Sequence, residues 1–142
     1  MKRMHGEKGA ALLEAAITVP IILLISVGIF EFGRAYQTQQ VLTNAAREGA
    51  RMAVIDGSTD AAVRDRVREF LTGGGLTTLP DEDILINRDV TIEGTAKGSQ
   101  VQIIYPFQFI VLNPIIRMIA PGDTTTGAPI NMGAVTTMRN EG

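Results

Sequence analysis

The sequence predicts an α+β protein. It has a long N-terminal helix with a membrane-spanning first half, a second short helix, and a small antiparallel β-sheet head. Three observations carry that class. From Ala10 to Phe30 the only charge is Glu14. The run then passes into a helix-compatible stretch, residues 31–55, with small residues at helical spacing. Beyond residue 83 the pattern changes to the strict alternation of half-buried strands.

The apolar segment comes first. As a helix rising about 1.5 Å per residue, Ala10–Phe30 reaches about 31 Å, one hydrocarbon thickness. A cleavable secretory signal would have a shorter apolar core followed by a small-x-small site. Here the run continues as helix, so the segment reads as a retained single-pass anchor in contact with membrane lipid. Lys2, Arg3 and Lys8 precede it, against Glu7. That basic flank puts the leader on the cytoplasmic side and the C-terminal bulk across the membrane. Pro20 falls mid-span, where it removes one backbone donor and is expected to kink or locally unwind the helix. Glu14 costs about 2.5–3.5 kcal/mol on insertion scales and is a functional candidate for that reason. The alternative is a boundary position, with the carboxylate reaching for headgroups or protonated.

Composition narrows the chemistry. The 142 residues include no Cys, no Trp and a single His, His5 in the leader. Disulfide frameworks, thiolate nucleophiles and His- or Cys-rich zinc sites are excluded. No His is left to act as a general base outside the leader. The net charge of -2 gives no basic surface for nucleic acid. Ser58, Ser99 and the threonines lack a His partner for a triad. Asp81-Glu82-Asp83 is the densest acidic cluster, but it lacks the spaced ligands of a calcium loop and reads as a solvated turn. The expectation is a protein that is not an enzyme, with no metal and no cofactor.

The string Lys8-Gly9-Ala10-Ala11-Leu12-Leu13-Glu14 resembles a type IV prepilin processing site. The longer pattern adds Pro20, Gly28, the Glu31-Phe32-Gly33 step and the Ala45-Ala46-Arg47-Glu48-Gly49-Ala50-Arg51 block. It resembles the TadE-like pseudopilins, or minor pilins, of the tight-adherence (Tad, Flp-type) pilus system. The resemblance is strong over about residues 6–55; beyond that it rests on size, strand pattern and the polar Met138-Arg139-Asn140-Glu141 tail. It implies a pilin-like fold and cleavage by a prepilin peptidase between Gly9 and Ala10. It implies that Glu14, fifth in the mature chain, guides processing and sets the register as subunits assemble. The implied partners are that peptidase, the Flp major pilin, other pseudopilins and the inner-membrane assembly platform, and the implied location is the bacterial inner membrane or the pilus itself. Cleavage would remove a net +2 and take the formal charge from -2 to -4. It would also free an amine on Ala10, with a reference pKa of about 7.7–8.0, about one helical turn from Glu14. Two rivals stay open: a pseudopilin of a related secretion system, and an uncleaved bitopic envelope protein whose β head binds a ligand or partner.

The remaining elements follow in order. Residues 1–9 read as leader, 10–30 as the transmembrane half of the long helix, 31–55 as its extramembrane half, and 56–142 as the head. A continuous helix from Ala10 to Ile55 would run about 69 Å. Glu31 and Arg34 are spaced to pair, and are expected as a solvated collar just outside the membrane. Ala35, Leu42, Ala46, Gly49 and Ala53 form a stripe that either receives another backbone or packs on the chain's own sheet. Together with Gly28 and Gly33, Ala46, Gly49 and Ala53 are the candidate packing positions. Gly57 ends the helix, and Ser58 or Thr59 caps the next, at about 59–72, whose apolar face is Val63, Val67, Phe70 and Leu71. Gly73-Gly74-Gly75 reads as a hinge or linker. Strands are expected at about 84–93, with Arg88 the one misfit, then 99–111 and 130–139, with a turn at 94–98. Pro106 argues for an edge, bulge or break in its strand. Residues 113–119 read as a short capped helical turn before Pro121-Gly122.

Overall fold

The computed structural model describes residues 4–92, 94, 96–119 and 128–140. Lys2 and Arg3 of the leader, Glu93, Thr95, the 121–126 loop and Glu141 of the tail lie outside them. The fold is α+β. Helix α1 runs Met4–Ala53, α2 Asp60–Gly73 and α3 Leu112–Ile119; strands β1 (Ile84–Ile92), β2 (Ala96–Phe107) and β3 (Ile130–Arg139) form the sheet. The chain clusters into two compact units. Met1–Arg34 goes with Phe109–Gly127, and Ala35–Gln108 with Ala128–Gly142.

In the first unit, α1 continues through Pro20. Pro20 lacks an N–H, but a lone missing bond in an otherwise intact helix is tolerated where neighbouring groups hold the backbone. Ser26 turns its hydroxyl back to the Ile22 carbonyl at 2.8 Å, so that this hydroxyl needs no water. The large apolar side chains of this stretch, Leu12 through Phe30, are exposed apart from the half-buried Val27.

The second unit holds the core. Leu42, Ala45, Ala46, Ala50 and Ala53 of α1 meet Val63, Val67 and Leu71 of α2, with Ile84, Val101, Ile103 and Ala134 from the sheet. The sheet is an antiparallel meander of order β1-β2-β3. Its inner face follows the period of two that the sequence shows. Thr59 caps α2 through the Ala62 N–H at 3.2 Å. Gly57 takes the left-handed conformation between the helices, at φ 79°. At Gly74 a Cβ would come within 2.4 Å of Val41 on α1, so this glycine is a close-approach point.

The structure settles three points that the sequence raises. The β1–β2 ladder shifts register between Asn87 and Val90, so Arg88 sits at a bulge. There it donates to the Ala53 carbonyl and Asp60 Oδ1, both at 2.8 Å, and to Ser58 Oγ at 3.3 Å. The misfit is the clasp that closes the α1–α2 junction. Pro106 lies within β2, but β1 pairs no further than Ile103, so Pro106 has a strand neighbour on one side alone. And β2 ends at Phe107 instead of residue 111; Phe109 and Val111 leave the sheet for the first unit.

Candidate functional site

The sequence nominates residues on α1. Gly9 and Ala10 are both exposed, and they lie inside the helix rather than before it. A protease needs its scissile bond in extended form, so cleavage there requires local unwinding. Gly9 lowers that cost, because a mid-helix Gly is about 1 kcal/mol less favourable than Ala. Glu14 is exposed one turn further on, and no described residue pairs with it. Among the described residues of a single copy, the carboxylate is therefore uncompensated in a stretch of Leu, Ile and Ala.

The five packing candidates divide in two. Ala46, Gly49 and Ala53 are buried in the second unit. A Cβ on Gly49 would stand 2.6 Å from Val67 Cγ2 and 3.3 Å from Val101 Cγ1, so its missing side chain is what lets α2 and β2 close on α1. Gly28 and Gly33 are different: nothing lies within 4 Å of where their Cβ atoms would be.

Sequence reasoning found the Glu31–Arg34 pair but missed the burial of Glu31. The expected solvated collar does not form, for Glu31 is fully buried. Its carboxylate accepts the Val111 N–H at 2.5 Å, and the Leu112 N–H as well. Arg34 approaches Oε2 at 3.5 Å from one turn along. Val111 and Leu112 open α3, so Glu31 satisfies N–H groups that the helix start leaves without internal partners, and sets a negative charge at the positive end of the helix. Burial pushes the Glu31 carboxyl up, but these N–H donors and the Arg34 charge outweigh it and hold the group below the ordinary carboxylate range. Beside it, the Phe32 and Phe109 rings meet edge to face, 6.3 Å between centroids. An acid and an aromatic directly after an apolar span were the available signals; their partners are too distant in sequence to read.

Elsewhere several charged groups have structural partners. Asp81 pairs with Arg68, which also holds Asp65 and the Leu79 carbonyl, so the acidic cluster is tied to α2 through its first member. Arg66 joins Glu69 at 2.8 Å and Glu48 at 3.1 Å.

α1 contains a stretch long and apolar enough to cross a membrane, with none of it buried inside the protein. A helix apolar all round and covered by nothing belongs in lipid. The architecture is thus that of a membrane-anchoring helix joined to a small helix-and-sheet head. Residues 9–51 match the family described as TadE-like protein. Comparison with the curated proteins and with the solved structures finds no match.

Proposed function

We propose that this chain is a TadE-like minor pilin, or pseudopilin, needed to assemble or initiate a Flp-type tight-adherence pilus. A prepilin peptidase cuts it between Gly9 and Ala10, and it is that enzyme's substrate rather than a catalyst. The Ala10–Phe30 span holds it in the bacterial inner membrane with the head on the far side, until it meets the major pilin, other pseudopilins and the assembly platform. One observation supports this most: the TadE-like segment begins at Gly9 and includes an exposed, unpaired Glu14 within an apolar helix.

The chemistry follows from cost. An isolated carboxylate in lipid is expensive, while one paired with a cation and fully hydrogen-bonded is tolerable. Trimming creates that cation on Ala10. A neighbouring copy or a pilin subunit then presents its new amine to Glu14, and this pairing sets axial register. Glu14→Ala, expressed in place of the native chain, tests the step. The expected result is a chain that is stable in the membrane but loses at least tenfold in piliation. A variant that is cleaved, stable and fully competent would remove Glu14 from the mechanism.

A further inference from the structure

The short helix α3 and the residues leading into it have no role in the proposed function. They cluster with the membrane helix and not with the sheet. The tie is specific. Glu31, the first residue past the span, takes the N–H groups of Val111 and Leu112, and Phe32 packs edge-on against Phe109. α3 therefore starts at the depth where α1 leaves hydrocarbon, within the interfacial zone that a bilayer adds outside its apolar core.

What this segment shows to the outside is apolar. Ile110 is 58% exposed and Met118 78%, with Ile115 at 36%. Arg117 is the one charge between Phe109 and Ile119. On α1 at the same level, Ile29, Phe30 and Phe32 are also exposed. An apolar surface of this kind needs a cover. The surface it continues is the lipid-facing side of the span, which names the cover: the boundary between acyl chains and headgroups.

We propose that Phe109–Ile119 is a second membrane contact, a short interfacial helix lying in the bilayer surface on the same side as the head, clamped there by Glu31. Its apolar side chains enter the headgroup–acyl boundary as those of other in-plane amphipathic helices do. The proposal rests on α1 being a membrane anchor.

The chain has no cysteine, so single-cysteine variants can be labelled cleanly. Leu23→Cys, Met118→Cys and Thr137→Cys in the full chain, each carrying an environment-sensitive fluorophore, are reconstituted in phosphatidylcholine–phosphatidylglycerol vesicles. Quenching is read with iodide in the water and with doxyl lipids of shallow and deep label. The expected result is that Leu23 is quenched by the deep lipid, Met118 by the shallow one, and Thr137 by iodide alone. Glu31→Ala should return the Met118 label towards iodide at least severalfold. A Met118 label as open to iodide as Thr137, while Leu23 stays in lipid, overturns the interfacial helix and leaves the anchor standing. Leu23 open to iodide overturns the anchor and the inference together. A Met118 label shielded from both quenchers, and cross-linked to a second copy by a bismaleimide, would assign the cover to protein and overturn the lipid contact.

Discussion

Removing the Glu31 carboxylate strips two backbone N–H groups of their acceptor at a site closed to water. Hydrogen bonds to a charged group contribute about 1.5–3 kcal/mol each at most, and an orphaned buried donor costs about 1–3 kcal/mol. Glu31→Ala should therefore raise amide exchange around residues 109–115 by about tenfold or more, with exchange around Val63 and Val67 unchanged. Acidity should act the same way. Because the docked carboxyl titrates below the ordinary carboxylate range, its contribution is complete above that range and is lost as pH falls through the lower, docked value. Among the described residues, Arg34 is a charged group that faces Glu31. Exchange corrected for intrinsic rate should be flat near neutrality and rise only in that acid window. Gly49 makes the opposite case, where nothing is removed. Overpacking against Val67 costs about 1–3 kcal/mol while Ala's better helix propensity returns about 1, so Gly49→Ala should lower stability of the solubilised chain by up to about 2 kcal/mol. Gly28→Ala meets open space and should be neutral or gain up to about 1 kcal/mol. Should Gly28→Ala leave thermal stability intact and still reduce piliation, the contact it spoils belongs to another subunit.

At the level of elements, the clasp made by Arg88 has no local explanation. Its targets, the Ala53 carbonyl, Ser58 and Asp60, are a helix end, a loop and a helix start. Arg88→Met should cost about 1–2 kcal/mol and loosen residues 53–60 in amide exchange, and Arg88→Lys should rescue little, since one ammonium cannot reproduce the planar fork. This shows where sequence reading succeeds and stops. Hydrophobic period found α1, α2 and all three strands, because each buries one face and burial writes a regular pattern. Arg88 broke that pattern, and the pattern holds no record of a bulge or of partners near residue 55. The end of β2 was lost for a related reason. Phe107, Phe109 and Val111 keep the strand period, but beyond Phe107 the latter two serve a different unit. Glu31 could be noticed as an acid beside a membrane span. Its burial depends on amides some 80 positions away, which no local rule supplies. The small-residue stripe was visible too, though spacing cannot say whether a helix, a sheet or a neighbouring chain fills it.

Taken whole, the molecule puts its polar and apolar surfaces to separate uses. The head has a closed core, built without disulfides from α1, α2 and the sheet. The N-terminal stretch has no core and shows Leu, Ile and Val all round, which only lipid or other subunits can cover. Glu14 is the exception inside it, and trimming at Gly9 is the event that would give it a cation. The most direct test is the N-terminus of the chain isolated from membranes of cells with and without the prepilin peptidase, read by intact mass and terminal sequencing. The account predicts Ala10 as the first residue when the peptidase is present and Met1 when it is absent. Met1 in both preparations would contradict it.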